Sequence, residues 1–354
     1  MSDKKVYRAI GCMSGTSVDA IDIALIETNG HGVIKPLAFK SYPYTSAERS
    51  LIKSRFGSNE PAVDVSRLIT QKHIEALEDF NVEADVIGFH GQTIFHDPNA
   101  GKSIQVGNPH RIAQKLGIRV VGGLRQNDLA KGGQGAPLLP IYHFARCHDA
   151  SKPLAILNLG GVGNITYIPS DDMGEMVAFD TGPGNALMDD YCAMFLDAPF
   201  DKDGGIAEKG AINGEILEQY LAHDYFDQDA PKSLDRDMWG IDLVDGLTPE
   251  DALATLLAFT VSSVQLALMS LEDYPTHIYV SGGGRLNKNL MAQLTRALAV
   301  PIQPVEELGW NGDALEAEGF AYMAVRSLLN LPITFPSTTG CQEPLNGGVV
   351  YGPS

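Results

Sequence analysis

Residues Gly11 to Asp22 read GCMSGTSVDAID, a run of small and polar side chains that stands ten residues from the start of the chain. Glycines let backbone amides approach an anion and hydroxyls add donors, so a phosphate-binding loop is the first reading to weigh. The P-loop pattern requires a lysine before the Ser or Thr; here Gly15 is followed by Thr16 and Ser17, and that version fails. The flanks decide the local fold. Val6 to Met13 is a short apolar run, and Ile21, Ile23 and Leu25 alternate with Asp22 and Ala24, so the spacing predicts strand, turn, strand rather than strand, loop, helix. An ordinary tight turn uses the same residue types.

The same design recurs about 150 residues on: Leu154 to Leu157, the turn NLGGVGN, and a return strand from Ile165 to Ile168. A repeat of hairpins predicts two similar α/β domains. Met176 to Phe179 then reads as a strand, followed by DTGPGN and the helix ALMDDYCAMFL; a third glycine cluster follows HIYVSGGG and leads into LNKNLMAQLTRAL. Three glycine-rich loops, each after a strand, suit a ligand with a phosphate tail, a metal and a base. A dinucleotide fold is the rival, but GGVGN does not supply GxGxxG at a strand-to-helix turn. The stretch KGGQGAP reads as a hinge, placing a boundary near residue 130.

The chain has 354 residues, with 26 Lys and Arg against 44 Asp and Glu, a formal charge of -18. Such a balance opposes nucleic-acid and anionic-membrane surfaces and favours small-molecule partners. The four cysteines, Cys12, Cys147, Cys192 and Cys341, show no CxxC pair, so neither a zinc site nor a disulfide framework is indicated and a reducing cytoplasm fits. The start lacks an export signal, and LLAFTVSSVQLALM from Leu256 reads as a buried helix, too short and serine-rich to span a bilayer.

Asp180 is the carboxylate to single out. Standing after EMVAF and before Thr181-Gly182-Pro183-Gly184, it reads either as a base that takes a proton from water or a hydroxyl, or as a helix-capping aspartate. Asp19 and Asp22 read as magnesium ligands, direct or through water, or as solvated turn residues. His90, Gln92 and Thr93 in GFHGQT form a polar strand end able to read sugar hydroxyls, or a satisfied polar loop. Arg125, Asn127 and Asp128 form a second polar cluster, and Glu316 in DALEAEGFA has the pattern of a surface carboxylate on an amphipathic helix.

The first hairpin resembles the first phosphate loop of the actin, hexokinase and acetate kinase superfamily. Set in order, GTSVDAID, GFHGQT, IQVGNPHRIA, KGGQGAPLLPIYH, NLGGVGNIT, FDTGPGN, FDKDGG, SGGG and DALEAEGFA resemble the anhydro-N-acetylmuramic acid kinase family over nearly the whole chain. That resemblance implies two actin- or hexokinase-like domains of ribonuclease H type with a nucleotide cleft between them, residues 1–130 with 340–354 returning, and 131–339. It implies ATP and magnesium, opening of the 1,6-anhydro ring by water, and phosphorylation of the freed 6-hydroxyl. The nucleotide would meet Gly15, Thr16, Ser17, Val18, Asp19, Ala20, Ile21 and Asp22, with Gly160, Gly161, Asn164, Gly182, Gly184 and Asn185 at its phosphates. Gly282, Gly283, Gly284 and Asn287, beside Arg285, would stand near the adenosine. Asp180 would activate the water; His90, Gln92, Thr93, Asp128 and Glu316 would face the sugar; a homodimer is usual. Departures from the family pattern fall at Ala20, at Asn108, in GGLRQND and in PKSLDRDMW around Lys232 to Trp239, so a related anhydro sugar stays open. A different sugar or carboxylate kinase and a non-catalytic actin-like switch are the alternatives.

Overall fold

The computed structural model describes residues 5–60, 62–98 and 100–353. In chain order the elements are β1 (Tyr7–Ser14), β2 (Ala20–Thr28), β3 (Ile34–Pro43), α1 (Ser46–Lys53), α2 (Val63–Phe80), β4 (Val86–Asp97), β5 (Lys102–Val106), α3 (Pro109–Leu116), β6 (Arg119–Gly122), α4 (Gln126–Ala130) and α5 (Pro140–Arg146). There follow β7 (Leu154–Leu159), β8 (Val162–Ile168), β9 (Val177–Pro183), α6 (Ala186–Phe195), α7 (Gly214–Leu221), α8 (Pro249–Met269), β10 (His277–Ser281), α9 (Lys288–Ala297), β11 (Ile302–Pro304), α10 (Leu315–Leu328), α11 (Pro336–Thr339) and β12 (Val349–Tyr351).

The chain divides into two compact units, one of residues 1–149 and 314–354, the other of residues 150–313. Each carries the same strand topology. In unit 1, β3, β2 and β1 are an antiparallel meander, and β4 and β6 follow in parallel, with β12 antiparallel at the edge and β5 paired to β4. In unit 2 the order is β9, β8, β7, then β10 and β11 in parallel. The repeated hairpins in the sequence are therefore the first two strands of two equivalent α/β sheets, each with its own core.

The division corrects the expected boundary near residue 130. Residues 131–149 and 314–339 belong to unit 1, because α10 packs on β1, β2 and β4 and because KGGQGAP is bracketed rather than hinged. Asp128 is 2 % exposed; its carboxylate accepts from the Gly135 amide at 2.7 Å and from the Thr339 hydroxyl at 2.7 Å.

Helix α2 follows the apolar 3.6-residue spacing of Val65, Ile69, Ile74 and Leu77 and stops where Asn81 turns left-handed, at φ 45°. Helix α8 is longer than LLAFTVSSVQLALM suggests. It starts at a Thr248 cap with Pro249 in the first position and is buried inside unit 2, although its length and composition alone would let it cross a membrane.

Helix α10 lies against the sheet of unit 1 at backbone distance. A β-carbon on Gly11 would stand 1.8 Å from the Ala317 carbonyl oxygen, and one on Gly88 would stand 2.1 Å from the Phe320 carbonyl oxygen. Both contacts are backbone, so neither can yield by a rotamer change. We expect Gly88→Ala to push α10 off the sheet and destabilise unit 1 by at least the ~1–3 kcal/mol typical of overpacking. Urea unfolding would show this as a lower midpoint, and an unchanged midpoint would contradict the packing.

Candidate active site

In unit 2 the three glycine loops meet each other. The Gly184, Asn185 and Ala186 amides donate to the carbonyls of Gly161, Gly160 and Gly161, at 2.9, 2.7 and 3.2 Å. The Asn185 side chain donates to the Leu159 carbonyl at 2.9 Å. Gly282, at φ 75°, passes so close to the end of β7 that a β-carbon there would lie 2.6 Å from the Leu159 carbonyl oxygen. By contrast, β-carbons on Gly160, Gly161 and Gly283 would meet nothing closer than 3.6 Å. Loops braced on one side by glycine and open on the other suit a phosphate chain, and the Thr260 hydroxyl on α8 fixes the Gly184 carbonyl from beneath at 2.8 Å. The arginine of the 232–239 run belongs here too: a β-carbon on Gly161 would lie 3.8 Å from the Arg236 Nε, and Arg236 pairs with Asp190 at 2.7 Å.

Asp180 lies within β9, not beyond its end as the sequence suggests. Gly163 pairs with Gly182 and Asn164 with Asp180, leaving Thr181 as an extra residue, a bulge of the kind that re-aims side chains beside functional sites. Asn164 also pairs with Asn158, and Asn158 with Ser281, so Ser281, Asn158, Asn164 and Asp180 form one polar row across four adjacent strands. Asn158 and Ser281 were not singled out in the sequence. The signal was there: counting back from the turn at Gly160 sets Asn158 opposite Asn164. Two residues assigned to the adenosine end do structural work. Arg285, its side chain 5 % exposed, bonds Glu306, Asp313 and the Gly282 carbonyl at 2.9, 2.7 and 2.9 Å, and Asn287 caps α9 through the Leu290 amide at 3.0 Å.

In unit 1 the turn between β1 and β2 holds Gly15, Thr16, Ser17 and Asp19, with Val18 buried at φ 58°. A β-branched residue in that conformation costs about 1–3 kcal/mol, strain of the sort found at ligand-clamping turns. The turn is tied down by Gln92, which is wholly buried. Its amide oxygen accepts from Ser14 at 2.6 Å and its nitrogen donates to the Gly15 and Thr93 carbonyls at 3.2 and 3.1 Å. Both ends of the Gln92 amide thus bond the loop, and the Thr93 hydroxyl accepts from Gln105 at 3.2 Å. Asp128 is the bracket described above.

His90 sits in a bulged continuation of β4, next to Gly91 at φ 77°. Its Nδ1 lies 2.9 Å from the Gly91 carbonyl oxygen and so carries the proton; its Nε2 accepts from the Arg125 guanidinium, 3.0 Å from Nη2. Arg125 also donates to the Gly135 carbonyl at 2.6 Å. Glu316 is half-buried on α10, not on an open surface, because the helix packs on both faces. Burial raises its carboxyl above the usual range, the charge of Asp22 adds to the rise, and Arg125 opposes it. Asp22, Arg125 and Glu316 are therefore electrostatic neighbours, backed by His90.

Of the two hairpin aspartates, Asp19 is exposed and paired with Arg49 at 2.9 Å. Among the described residues no group of three or more His, Cys, Asp or Glu is placed to hold a metal ion. Magnesium uses one or two carboxylates and completes its shell with water and substrate phosphate, so a nucleotide-borne ion with Asp22 as the nearby carboxylate is the arrangement these donors fit.

Two α/β units of one topology, with a polar hairpin turn in each and three glycine loops meeting in the second, define a protein of the actin and hexokinase fold. The sequence profile of the anhydro-N-acetylmuramic acid kinase family matches residues 7–353, and the chain belongs to that family. Relatives named anhydro-N-acetylmuramic acid kinase include one from Rhizorhabdus wittichii, 47% identical over 98% of this chain and 99% of its own, and one from Rhodospirillum rubrum, 46% identical over 99% and 95%. A third, from Zymomonas mobilis, is 43% identical over 97% of this chain and 99% of its own. Among solved structures, a component A of (R)-2-hydroxyglutaryl-CoA dehydratase from Acidaminococcus fermentans is similar at a TM-score of 0.48 and 13% identity, over 92% of this chain and 100% of that one.

Burial and Arg125 hold the His90 pKa well below its ordinary 6.5. Burial likewise pushes His73 down to about 4, His96 to about 4 and His143 to about 3. All four lie in unit 1. A histidine depressed in the folded state contributes stability that is present above the unfolded value and lost as pH falls below it, since the unfolded chain then binds more protons. Glu316 and Glu318, raised by burial, act in the opposite sense at lower pH. We expect the His90 ring nitrogens to show no titration by NMR between pH 8 and 5.5, and unit 1 to lose stability from about pH 6.5 downward. A His90 midpoint near 6.5 would contradict the tautomer and the Arg125 bond.

Proposed function

We propose that the protein is an ATP-dependent anhydro-N-acetylmuramic acid kinase of cell-wall sugar recycling in which Asp180 activates water. The observation that supports it most directly is the placement of Asp180: a buried carboxylate, 8 % exposed, at a bulge one residue from the glycine segment that braces the phosphate-type loops. A carboxylate in that setting takes the water proton as the oxygen attacks the anomeric carbon. The C1–O6 bond breaks, and the freed O6 attacks the γ-phosphorus of ATP, giving the 6-phosphate sugar and ADP. Asp180 then returns its proton to solvent.

The chain's other groups have parts that follow from their surroundings. Gly160, Gly161 and Gly283 offer backbone to the phosphates, braced by Gly184, and Gly15 to Ser17 offer amides and hydroxyls. Magnesium, carried on the nucleotide, would neutralise phosphate charge beside Asp22. Arg125, held by His90, and Glu316 are assigned to the sugar, with Asn164, paired with Asp180 on the neighbouring strand, as the amide able to orient a water. The four cysteines are buried and unbridged, which suits a reducing cytoplasm. A homodimer is carried by the family resemblance.

Asp180→Asn keeps size and most hydrogen bonds while removing the proton acceptor. Turnover with ATP and 1,6-anhydro-N-acetylmuramic acid should fall by roughly 10²- to 10⁴-fold, the usual contribution of a general base, with nucleotide affinity little changed by calorimetry. Near-normal turnover in the folded variant would remove Asp180 from this role.

A further inference from the structure

Residues 223–239 include the run in which the sequence departs from the family pattern, and no part of the mechanism has used them. In the structure they form a strap that closes on Asp180 from three directions. The Asp180 amide donates to the Lys232 carbonyl at 2.9 Å. The Tyr225 hydroxyl donates to the Asp180 carbonyl at 2.5 Å. The Leu234 amide donates to the Asp180 Oδ2 at 2.9 Å. The last contact is a backbone donor, so a leucine at this position supplies it as well as any other side chain would.

What holds the strap is the Lys232 ammonium. Lys232 is 7 % exposed, and its Nζ donates to the Tyr225 and Gln228 carbonyls at 3.0 and 2.9 Å while lying 4.7 Å from the centre of the Tyr225 ring. One side chain thus joins residues 225, 228 and 232, the points from which two of the three bonds to Asp180 depart, two residues ahead of the third. The far end is anchored separately, by Phe226 stacked on Trp239 at 5.6 Å and Trp239 edge-on to Phe259 of α8 at 5.4 Å. A buried ammonium is costly unless its donors are met. Here carbonyls and a ring meet them, with no carboxylate bonded to it among the described residues, and an apolar side chain of similar length could fill the same volume. The cation is therefore spent on fixing the strap's shape.

We propose that Lys232 is a positioning residue for Asp180: it sets the 225–234 strap so that the Leu234 amide holds the carboxylate in the orientation that receives the water proton. The proposal rests on Asp180 acting as the base. Lys232 touches no reacting atom, and its effect passes through the carboxylate alone.

A double-mutant cycle tests this. Lys232→Met should lower kcat by roughly 10- to 100-fold, the scale of a small misplacement of a reacting group, with KM for sugar and ATP within about twofold. In the Asp180→Asn background the same change should cost less than about twofold, because groups that act as a unit are non-additive. Tyr225→Phe, which removes one hydroxyl and keeps the ring, should follow the same pattern with a smaller loss and guards against a folding failure of the lysine variant. Equal losses in both backgrounds, or an unchanged kcat in folded Lys232→Met, would overturn the proposal. If Asp180→Asn itself leaves turnover intact, the reading of the base fails first, and the cycle reports that separately.

Discussion

The Ala317 and Phe320 carbonyls of α10 touch the sheet of unit 1 where a side chain would have to be, and only glycine at positions 11 and 88 permits it. That approach fixes more than a helix. It leaves Glu316 half-buried in the field of Asp22 and Arg125. In unit 2 the equivalent constraint is Gly282 passing the end of β7, which lets the three loops share carbonyls and amides. In each unit, taken by itself, backbone pressed on backbone forms a floor beside which polar side chains are arranged.

Most buried polar groups near these floors are braces. Gln92, Asp128, Asn185, Arg285 and Lys232 each satisfy carbonyls or amides of an irregular segment, as buried polar groups must. The residues to which the proposed function gives chemistry sit one step away and are held by groups of this kind: the β1–β2 turn by Gln92, Arg125 by His90, Asp180 by the 225–234 strap. Reading a polar side chain as a ligand merely because it lies in a conserved-looking loop confuses these two layers. Hydrogen-bond accounting helps to separate them: the Gln92 nitrogen, for one, has given both of its protons to carbonyls.

Both hairpins, the helix at Val65 and the helix at Leu256 were legible because alternation and 3.6-residue periodicity report burial directly. The position of Asp180 was legible to within the strand end, as was the succession of glycine loops after strands. Glu316 was misread by pattern because amphipathicity assumes one wet face, whereas α10 is buried on nearly all sides. The boundary at KGGQGAP was misread because glycine and proline mark irregular backbone, not mobility, and the Asp128 to Thr339 bond spans 211 residues of sequence. Lys232 was noticed only as a departure; its role depends on where residues 225 and 228 fold back, which no local pattern encodes.

Ring opening by water, the step for which Asp180 is the proposed base, makes one demand: the new oxygen must reach the sugar, not the phosphate. The direct measurement is mass spectrometry of the product formed from ATP and 1,6-anhydro-N-acetylmuramic acid in heavy-oxygen water, quenched within the first turnovers and compared with finished product incubated in the same water. The account predicts a 6-phosphate sugar with one heavy oxygen on the anomeric carbon and none on phosphorus, above the level that exchange gives. Heavy oxygen in the phosphate group, or none at the anomeric carbon, would contradict it.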